Sequence, residues 1–523
     1  MGGSVKQLSI NIWLGRIPVL LILILTLGTL LAVIKEATAF HVLTSGDWSA
    51  VRFTVKQALL SAFFSCAISI PIARALARRN FTGKNLIISL LGAPFILPVL
   101  IAILGLVFIF GNNGFINNTL TALNLPKISI YGLHGIVIAH VFFNLPLAVR
   151  LIFQSWLSVP SERFRLSAQL GLNSFEIFKY LELPMLKNIL PGIFVTIFLI
   201  CMTSFAVALA LGGGPKATTI ELAIYQAFRF DFNLSKAALL ALIQFFLCLV
   251  ITSLTIKFSI SSYFGSGLDR SIDRWDAQTF TAKLLDILLI ISVSLFIFIP
   301  ILTIFLKGLP NILTLPNIVW FSAGRSIIMA LISAFVTITM ALGLCLCISE
   351  TKSKQSFVYE ISGYLTIAAS PMVMGTGLFI IIMPLTDPKS LALVVTVLVN
   401  SAMSLPFAIR ILLPPLKIII NDYQNLSESL GMSNWSNLKY VVLPRLSLPL
   451  GFSTGLAAAI AMGDFGVIAL FSDPEKSTLP MVLYSLLSSY RLDLAASTAT
   501  LLLCLTFGVF WFFDKIGRLN ARS

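Results

Sequence analysis

Few side chains in this 523-residue sequence have a type and a setting that would support chemistry. Asp464 is the clearest, because it stands in an apolar stretch long enough to cross a membrane, where a charge is a functional candidate. Ser204 holds the equivalent place in an earlier stretch, and His140 lies in a third. We expect these three residues to line a transport pathway. The alternative role is hydrogen bonding between packed helices, which is favoured for His140.

The sequence offers little else that resembles a catalytic or metal-binding site. It has no phosphate-binding loop of the form G-x-x-x-x-G-K-[ST], because Gly83-Lys84 is followed by Asn85. None of the three histidines stands at metal-ligand spacing from another histidine or a cysteine. The six cysteines lie in apolar stretches, where packing is their usual role. We therefore predict a protein that is not an enzyme and that needs neither a cofactor nor a metal.

The elements that must position these residues are membrane-spanning helices. The chain is 58% hydrophobic and 11% charged, whereas an ordinary soluble domain has about 25% charged residues. Its apolar runs reach the length of about 20 residues that crosses a bilayer, and helices satisfy their own backbone there. We predict an all-α integral membrane protein with about twelve spans. They cover residues 13–34, 55–77, 86–110, 131–154, 187–211, 237–258, 284–306, 326–349, 361–384, 391–413, 446–470 and 494–513.

The basic residues predict the orientation in the membrane, because Lys and Arg concentrate in cytoplasmic loops. An N-terminus inside the cell places most of the 36 basic residues there, so both termini are predicted to be cytoplasmic. The net charge of +15 then indicates topology and contact with lipid headgroups, and no nucleic acid partner. The first span has an alternative as a signal peptide cleaved near Ala37-Thr38-Ala39, but its apolar stretch is too long.

The chain contains an internal repeat at an offset of 260 residues. Residues 145–150 (LPLAVR) recur as 405–410 (LPFAIR), and residues 164–184 match 424–444 at Leu, Ser, Gly, Lys, Tyr and Pro positions. An even number of predicted spans separates the copies, so both face the same side of the membrane. Such parallel repeats are related by an axis along the membrane normal, with the pathway between the halves. A polar, basic linker near residues 259–283 would join the halves in the cytoplasm.

We call residues 161–184 the first repeat loop and residues 421–444 the second repeat loop. Both are too polar to span, and their apolar spacing predicts a short amphipathic helix, a turn and a second helix. Gly171 and Gly431 fit the turn because glycine adopts positive φ, and Pro184 and Pro444 fit the start of the next span. The interval from glycine to proline is 13 residues in both loops. An interfacial hairpin inherited by both halves is the alternative interpretation.

The repeat loops resemble those of inner-membrane permeases of type I ABC importers. The signature of that family is a Glu-Ala-Ala run, a glycine, and a Leu-Pro that ends 13 residues after the glycine. Leu183-Pro184 and Leu443-Pro444 fit it, whereas Arg165 and Asn425 replace the glutamate. The resemblance implies that both loops dock onto two copies of an ATP-binding cassette subunit. It also implies a periplasmic solute-binding protein as a partner and a place in the bacterial inner membrane, in contact with lipid.

Further segments look like the thiamine permease branch of this family, namely residues 75–79 (ALARR), 139–144 (AHVFFN) and 211–226 (LGGGPKATTIELAIYQ). A permease for ferric iron with the same fused architecture is the alternative. A proton-coupled secondary transporter also has twelve spans, but the loop at residues 77–84 lacks the acidic residue typical of that class. The resemblance implies transmembrane domains at 50–258 and 326–513. The flanking segments are a first span with a periplasmic segment (1–49), a linker with the seventh span (259–325) and a cytoplasmic tail (514–523).

Overall fold

The structure is a computed structural model that describes most of the chain. The described residues are 9–37, 43–258, 274–350, 356, 359–360, 362–363, 365–366, 369–471 and 476–520. Within these ranges every regular element is a helix, which confirms the all-α prediction. Eleven of the described helical segments are long and apolar enough to cross a membrane. Most of the predicted linker, residues 259–273, lies outside the described residues, as do residues 38–42 near the possible cleavage site.

The helices form two series that repeat in the same order. The first series is α1 (Ser9–Leu23), α2 (Thr29–Ala37), α3 (Ser45–Arg78), α4 (Lys84–Leu90), α5 (Ala93–Ile96), α6 (Val99–Phe110), α7 (Phe115–Ala122), α8 (Leu133–Leu157), α9 (Ser161–Gln169), α10 (Ser174–Ile177), α11 (Leu183–Met202), α12 (Phe205–Leu211), α13 (Ile220–Arg229) and α14 (Leu234–Phe258). The second series is α15 (Phe280–Gly308), α16 (Asn317–Glu350), α17 (Pro371–Ile382), α18 (Ala392–Ser429), α19 (Asn434–Asn437), α20 (Leu443–Arg445), α21 (Ser447–Gly463), α22 (Gly466–Phe471), α23 (Leu479–Ser488) and α24 (Leu492–Asn520).

Shorter helical turns of other types connect these elements. Wide π-helical turns cover Ile24–Gly28, Phe178–Glu182 and Leu438–Val442, and tight 3-10 turns cover Pro215–Ala217, Trp275–Ala277, Leu309–Thr314 and Pro388–Leu391. Several predicted spans are divided and do not form one long helix. The segment predicted at 86–110 is divided among α4, α5 and α6, and the described part of the segment predicted at 361–384 contains the 12-residue helix α17.

Each half is built around one long helix with a face of small residues. α3 and α16 are both 34 residues long. α3 packs against α8 and α11, and α16 packs in the same way against α18 and α21. Small side chains let neighbouring backbones approach closely in a membrane protein. The buried small residues at helical spacing are Ala58, Ser61, Ala62 and Ser65 on α3 and Ala330, Ser333, Ala334 and Thr337 on α16.

The first helix of each half packs against the other half. α1 lies along α16 and α2 lies along α17, both in the second half, while α15 lies along α3 and α6 in the first half. The largest buried apolar cluster accordingly combines residues of both halves, and a smaller one in the second half includes Ile22 of α1. The two halves are therefore interlocked by an exchange of helices.

Candidate functional site

The two repeat loops have the same backbone turn. Gly171 and Gly431 adopt φ values of +66° and +62°, which confirms the predicted positive φ. In each loop the glycine N–H donates to the carbonyl three residues earlier, and the next N–H donates to the carbonyl five residues earlier, all at 3.0 Å. This pair of bonds is the usual way to end a helix with a left-handed residue. A Cβ added at either glycine would meet no atom within 4 Å, so the backbone conformation alone favours glycine.

A wide π turn leads from each repeat loop into the next span. The N–H of Leu183 donates to the carbonyl of Phe178, five residues earlier, and Leu443 donates to Leu438 in the same way. The prolines that follow would clash with the carbonyl four residues earlier in a regular helix. In both halves the wider π turn lies just before the proline, where a regular helix would produce this clash. Pro184 lies in the first turn of α11, as predicted from its position in the sequence.

Both repeat loops expose apolar side chains at the same four positions. Each of these side chains is more than half exposed, although all are large and hydrophobic. They are Leu166, Leu170, Phe175 and Tyr180 in the first loop and Leu426, Leu430, Trp435 and Tyr440 in the second. Exposed apolar groups that recur together mark a surface for another molecule. Arg165 and Asn425, the two residues that replace the family's glutamate, are also exposed.

Buried ion pairs anchor the first repeat loop. Glu182, at the end of the π turn, accepts a hydrogen bond from Arg74 of α3 at 2.6 Å and another from Arg274 at 2.9 Å. Arg274 also pairs with Asp276 at 2.7 Å. Burial raises the pKa of the Asp276 carboxyl, but the hydrogen bond and charge of Arg274 outweigh burial and hold the pKa below its usual value. Asp276 is therefore ionised at neutral pH.

A second set of ion pairs joins α3 to α15. Arg78 and Arg79 donate to the two carboxylate oxygens of Asp286 at 2.6 and 2.8 Å. These two arginine side chains therefore point into the protein, where they pair with a buried carboxylate. The sequence held a signal for the pair of Arg74 and Glu182, since Arg74 lies inside the span predicted at 55–77 and a buried charge needs a partner.

Among the residues that the structure describes, no such ion pair anchors the second repeat loop. Val442 stands where the first loop has Glu182, and Leu346 of α16 belongs to the same buried cluster as Val442. Both side chains are buried in an apolar cluster that also contains Leu446. The two loops therefore reach the same backbone geometry with different support.

Ser204 and Asp464 lie at matching breaks between helices. α11 ends at Met202 before α12 begins, and α21 ends at Gly463 before α22 begins. Ser204 and Asp464 are both in extended conformations. The sequence predicted continuous helices over 187–211 and 446–470, so that prediction was wrong. Neither break contains a proline, but Ser and Asp side chains favour helix ends because they compete for backbone hydrogen bonds.

Side-chain amides satisfy the backbone at the first break. Gln57 of α3 donates to the carbonyl of Cys201 at 2.9 Å, and Gln244 of α14 donates to the carbonyl of Met202 at 3.0 Å. These carbonyls have lost their helical partners at the end of α11. An interrupted helix is tolerated at membrane depth only where the protein provides such partners or where water does. The break is therefore a supported feature of the fold.

His140 and Asn400 are equivalent positions with different contacts. Asn400 donates to the carbonyl of Ala461 at 3.4 Å, and its side chain also lies beside the Asp464 carboxylate. Nδ1 of His140 lies 3.2 Å from the Ser61 hydroxyl on α3. The structure thus brings Asn400 and Asp464 together at the second break. His140 instead connects α8 with α3.

One pattern associated with hydrolases occurs in the second half. Residues 451–455 (GFSTG) match G-x-S-x-G, in which a nucleophilic serine sits on a sharp strand-to-helix turn. Here Ser453 lies in the middle of α21, is buried, and donates to the carbonyl of Pro449 at 2.7 Å. This hydroxyl is a helix-packing group, because the pattern lacks the turn that would expose it.

No family model matches this sequence. The chain is nevertheless similar to several transport proteins over most of its length. It is 36% identical to the thiamine transport system permease protein ThiP of Escherichia coli K12 over 487 residues, covering 91% of this chain and 90% of that protein. It is 36% identical to the ThiP proteins of Brucella abortus strain 2308 over 491 residues and of Haemophilus influenzae over 464 residues. The latter match covers 87% of this chain and 86% of that protein.

This similarity covers both halves, the repeat loops and the two helix breaks. The relatives are transport permeases, and the described residues include eleven candidate spans, so the chain is a multi-pass membrane protein of a transport system. The chain belongs to the family of the thiamine transport system permease proteins.

Proposed function

We propose that this chain is the permease subunit of a binding-protein-dependent ABC importer that carries thiamine, and also its phosphate esters, across the bacterial inner membrane. The observation that carries this proposal is the pair of repeat loops with identical turns and four exposed apolar side chains each. Relatives that match this chain over about nine tenths of its length are named for thiamine transport. The substrate is proposed from those relatives.

The repeat loops are the proposed docking sites for two copies of an ATP-binding cassette subunit. The chain has no phosphate-binding loop of its own, so hydrolysis belongs to a partner. Each loop offers an aromatic side chain at its centre, Phe175 in the first and Trp435 in the second, and buried aromatic anchors dominate many protein interfaces. Closure of the ATPase pair would draw the loops together and move the two halves.

The proposed orientation places both termini and both repeat loops in the cytoplasm. A periplasmic solute-binding protein would then deliver the substrate to the opposite face. α11 rises from the first repeat loop for 20 residues, or about 30 Å, before its break at Ser204. Ser204 and Asp464 would therefore lie on the pathway near the periplasmic side, with His140 beside it. The proposed domains remain 50–258 and 326–513.

The docking proposal can be tested with one glycine and a matched control. Replacing Gly431 with valine should strain a residue that needs positive φ, by about 1–2 kcal/mol, and misplace the loop. Gly83 also has positive φ and open space around its Cα, but it lies outside both repeat loops. We expect Gly431→Val to accumulate in the membrane and to lose the co-purifying ATPase, whereas Gly83→Val keeps it. Full ATPase binding and uptake by Gly431→Val would exclude this loop as the contact.

The substrate can be tested with the complete complex in proteoliposomes. We expect ATP-dependent uptake of labelled thiamine when the ATPase and the binding protein are present, and none without ATP. Excess unlabelled thiamine should compete, and excess ferric iron should not. Competition by iron alone would favour the ferric-iron permease. Uptake driven by a proton gradient without any ATPase would favour the secondary transporter.

A further inference from the structure

Four aromatic side chains meet where the two halves touch. The rings of Phe205 and Phe465 stack across the interface, with centroids 5.9 Å apart and planes 19° apart. Tyr225 packs against Phe205 at 5.2 Å, and Tyr484 packs against Phe465 at 4.9 Å. We call these residues the aromatic tetrad. Phe205 and Phe465 are equivalent in the repeat, and each tyrosine is the sixth residue of its helix, α13 or α23, so the tetrad has the pseudo-twofold symmetry of the molecule.

The tetrad sits directly on the two helix breaks. Phe205 is the first residue of α12, and Phe465 follows Asp464 in the break before α22. Both phenylalanine rings are buried, so no aqueous path passes between them in this state. The short helices α12 and α22 connect to α11 and α21 only through these breaks. Rotation at a few backbone bonds can therefore part the two rings without unfolding a long helix.

The chemistry around the tetrad suits an aromatic cation. Aromatic faces attract positive charge and stack with other rings. A Cβ placed on Gly466 would lie 3.8 Å from Asp464 Oδ1 and 3.8 Å from Phe205 Cδ1. The Asp464 carboxylate and the Phe205 ring therefore both border the space beside Gly466. Asp464 Oδ2 is buried and has no hydrogen-bond partner among the described residues. A carboxylate and an aromatic face thus stand together at the interface.

We propose that the aromatic tetrad is the closed gate of the transport pathway and that it selects for a substrate that is both aromatic and positively charged. The inference rests on the proposed function, since thiamine joins an aminopyrimidine ring to a cationic thiazolium ring. Opening of the gate exchanges the contact between Phe205 and Phe465 for contacts of each ring with the passing substrate. A gate of aliphatic residues would close equally well and would lack this attraction.

The test compares aliphatic and aromatic replacements in the complete reconstituted complex. We expect Phe205→Leu and Phe465→Leu to lower ATP-dependent thiamine uptake about tenfold, and Phe205→Tyr and Phe465→Tyr to stay within about twofold of the unaltered protein. Phe452→Leu is the matched control, because Phe452 packs against Phe510 between α21 and α24 within one half. It should transport normally. Unaltered uptake by both leucine variants would contradict the proposal that the aromatic tetrad selects the substrate.

A second experiment decides whether Phe205 and Phe465 separate during transport, and it does not depend on assembly of the leucine variants. Cysteines replace Phe205 and Phe465 in a background without the six natural cysteines, and a short bifunctional maleimide links them. The unlinked double variant lacks both rings, so we expect it to keep only the reduced uptake of the leucine variants, and we expect linkage to abolish that remaining uptake. Transport by the linked protein would contradict the proposal that positions 205 and 465 must separate to open a gate. Absence of thiamine uptake by the unaltered complex would instead contradict the proposed function, so the two failures are distinguishable.

Discussion

The two halves share a backbone plan and differ in the side chains that support it. Both repeat loops contain a glycine with positive φ followed by a π turn, and both have a helix break about 20 residues later. The same holds away from the loops. The N–H of Ile220 is held by the Thr54 hydroxyl at 2.8 Å, and the N–H of Leu479 is held by the Ser326 hydroxyl at 2.9 Å. Duplication has therefore preserved backbone geometry more strictly than side-chain identity.

The supports of the two repeat loops differ in kind. Glu182 ties the first loop to α3 and to the segment before α15, whereas Val442 packs the second loop into an apolar cluster. A buried ion pair is not necessarily more stable than well-packed apolar residues, but loss of one charged partner is more damaging. Substitutions at equivalent positions of the two repeat loops can therefore have different effects on stability. The first loop depends on single charges, and the second depends on close packing.

The largest expected effect comes from removing the shared carboxylate. Glu182→Gln leaves the largely buried guanidinium group of Arg74 without its carboxylate partner and leaves Arg274 with Asp276 alone, so it should lower the free energy of unfolding by about 3 kcal/mol. Val442→Ala removes two methyl groups at the equivalent position and should cost about 2 kcal/mol. Thermal unfolding of the purified variants in detergent measures both. If Glu182→Gln proves no less stable than Val442→Ala, the ionic anchor is unimportant.

An intermediate effect is expected where the halves support the helix breaks. Gln57 and Asn400 donate to the equivalent carbonyls of Cys201 and Ala461 from different helices. Gln57→Met and Asn400→Leu should each cost about 1–3 kcal/mol, because a buried carbonyl loses its donor. Chemical denaturation of the two variants provides the measurement. A much smaller cost for Asn400→Leu would show that the second break needs less support, in agreement with its longer hydrogen bond of 3.4 Å.

The smallest expected effect concerns the hydroxyl groups that hold α13 and α23. Thr54→Val and Ser326→Ala each remove one acceptor from the first N–H of a short helix. Each should cost about 1 kcal/mol, and the two costs should be equal within error. Midpoints of thermal unfolding for the two single variants give the comparison. Unequal midpoints would mean that the halves differ even where their hydrogen bonds match.

The glycine turn of each repeat loop could be predicted from the sequence because its geometry is local, but the short first helix predicted for the second loop is instead the end of the 38-residue helix α18. A glycine at a helix end and a proline at the next helix start act within one or two turns, so their spacing predicts both turns. The ion pairs of Glu182 could not be placed, because Arg74 lies 108 residues away and Arg274 lies 92 residues away. The helix breaks were missed because Ser204 and Asp464 stand in apolar stretches without a proline. Their capping amides come from distant helices that no local pattern identifies.

The exchange of first helices has a consequence for how the protein is made. α1 and α2 leave the ribosome first, but α16 and α17, against which they pack, follow roughly 280 residues later. At about 5–20 residues per second, translation of that interval takes tens of seconds. During that time α1 lacks α16, and α2 has α14 of the first half as a partner but not α17; the first half cannot complete its packing until α15 arrives. Folding of this permease therefore requires that α1 remain inserted in the membrane, in contact with lipid or the insertion machinery, until α16 has been synthesised.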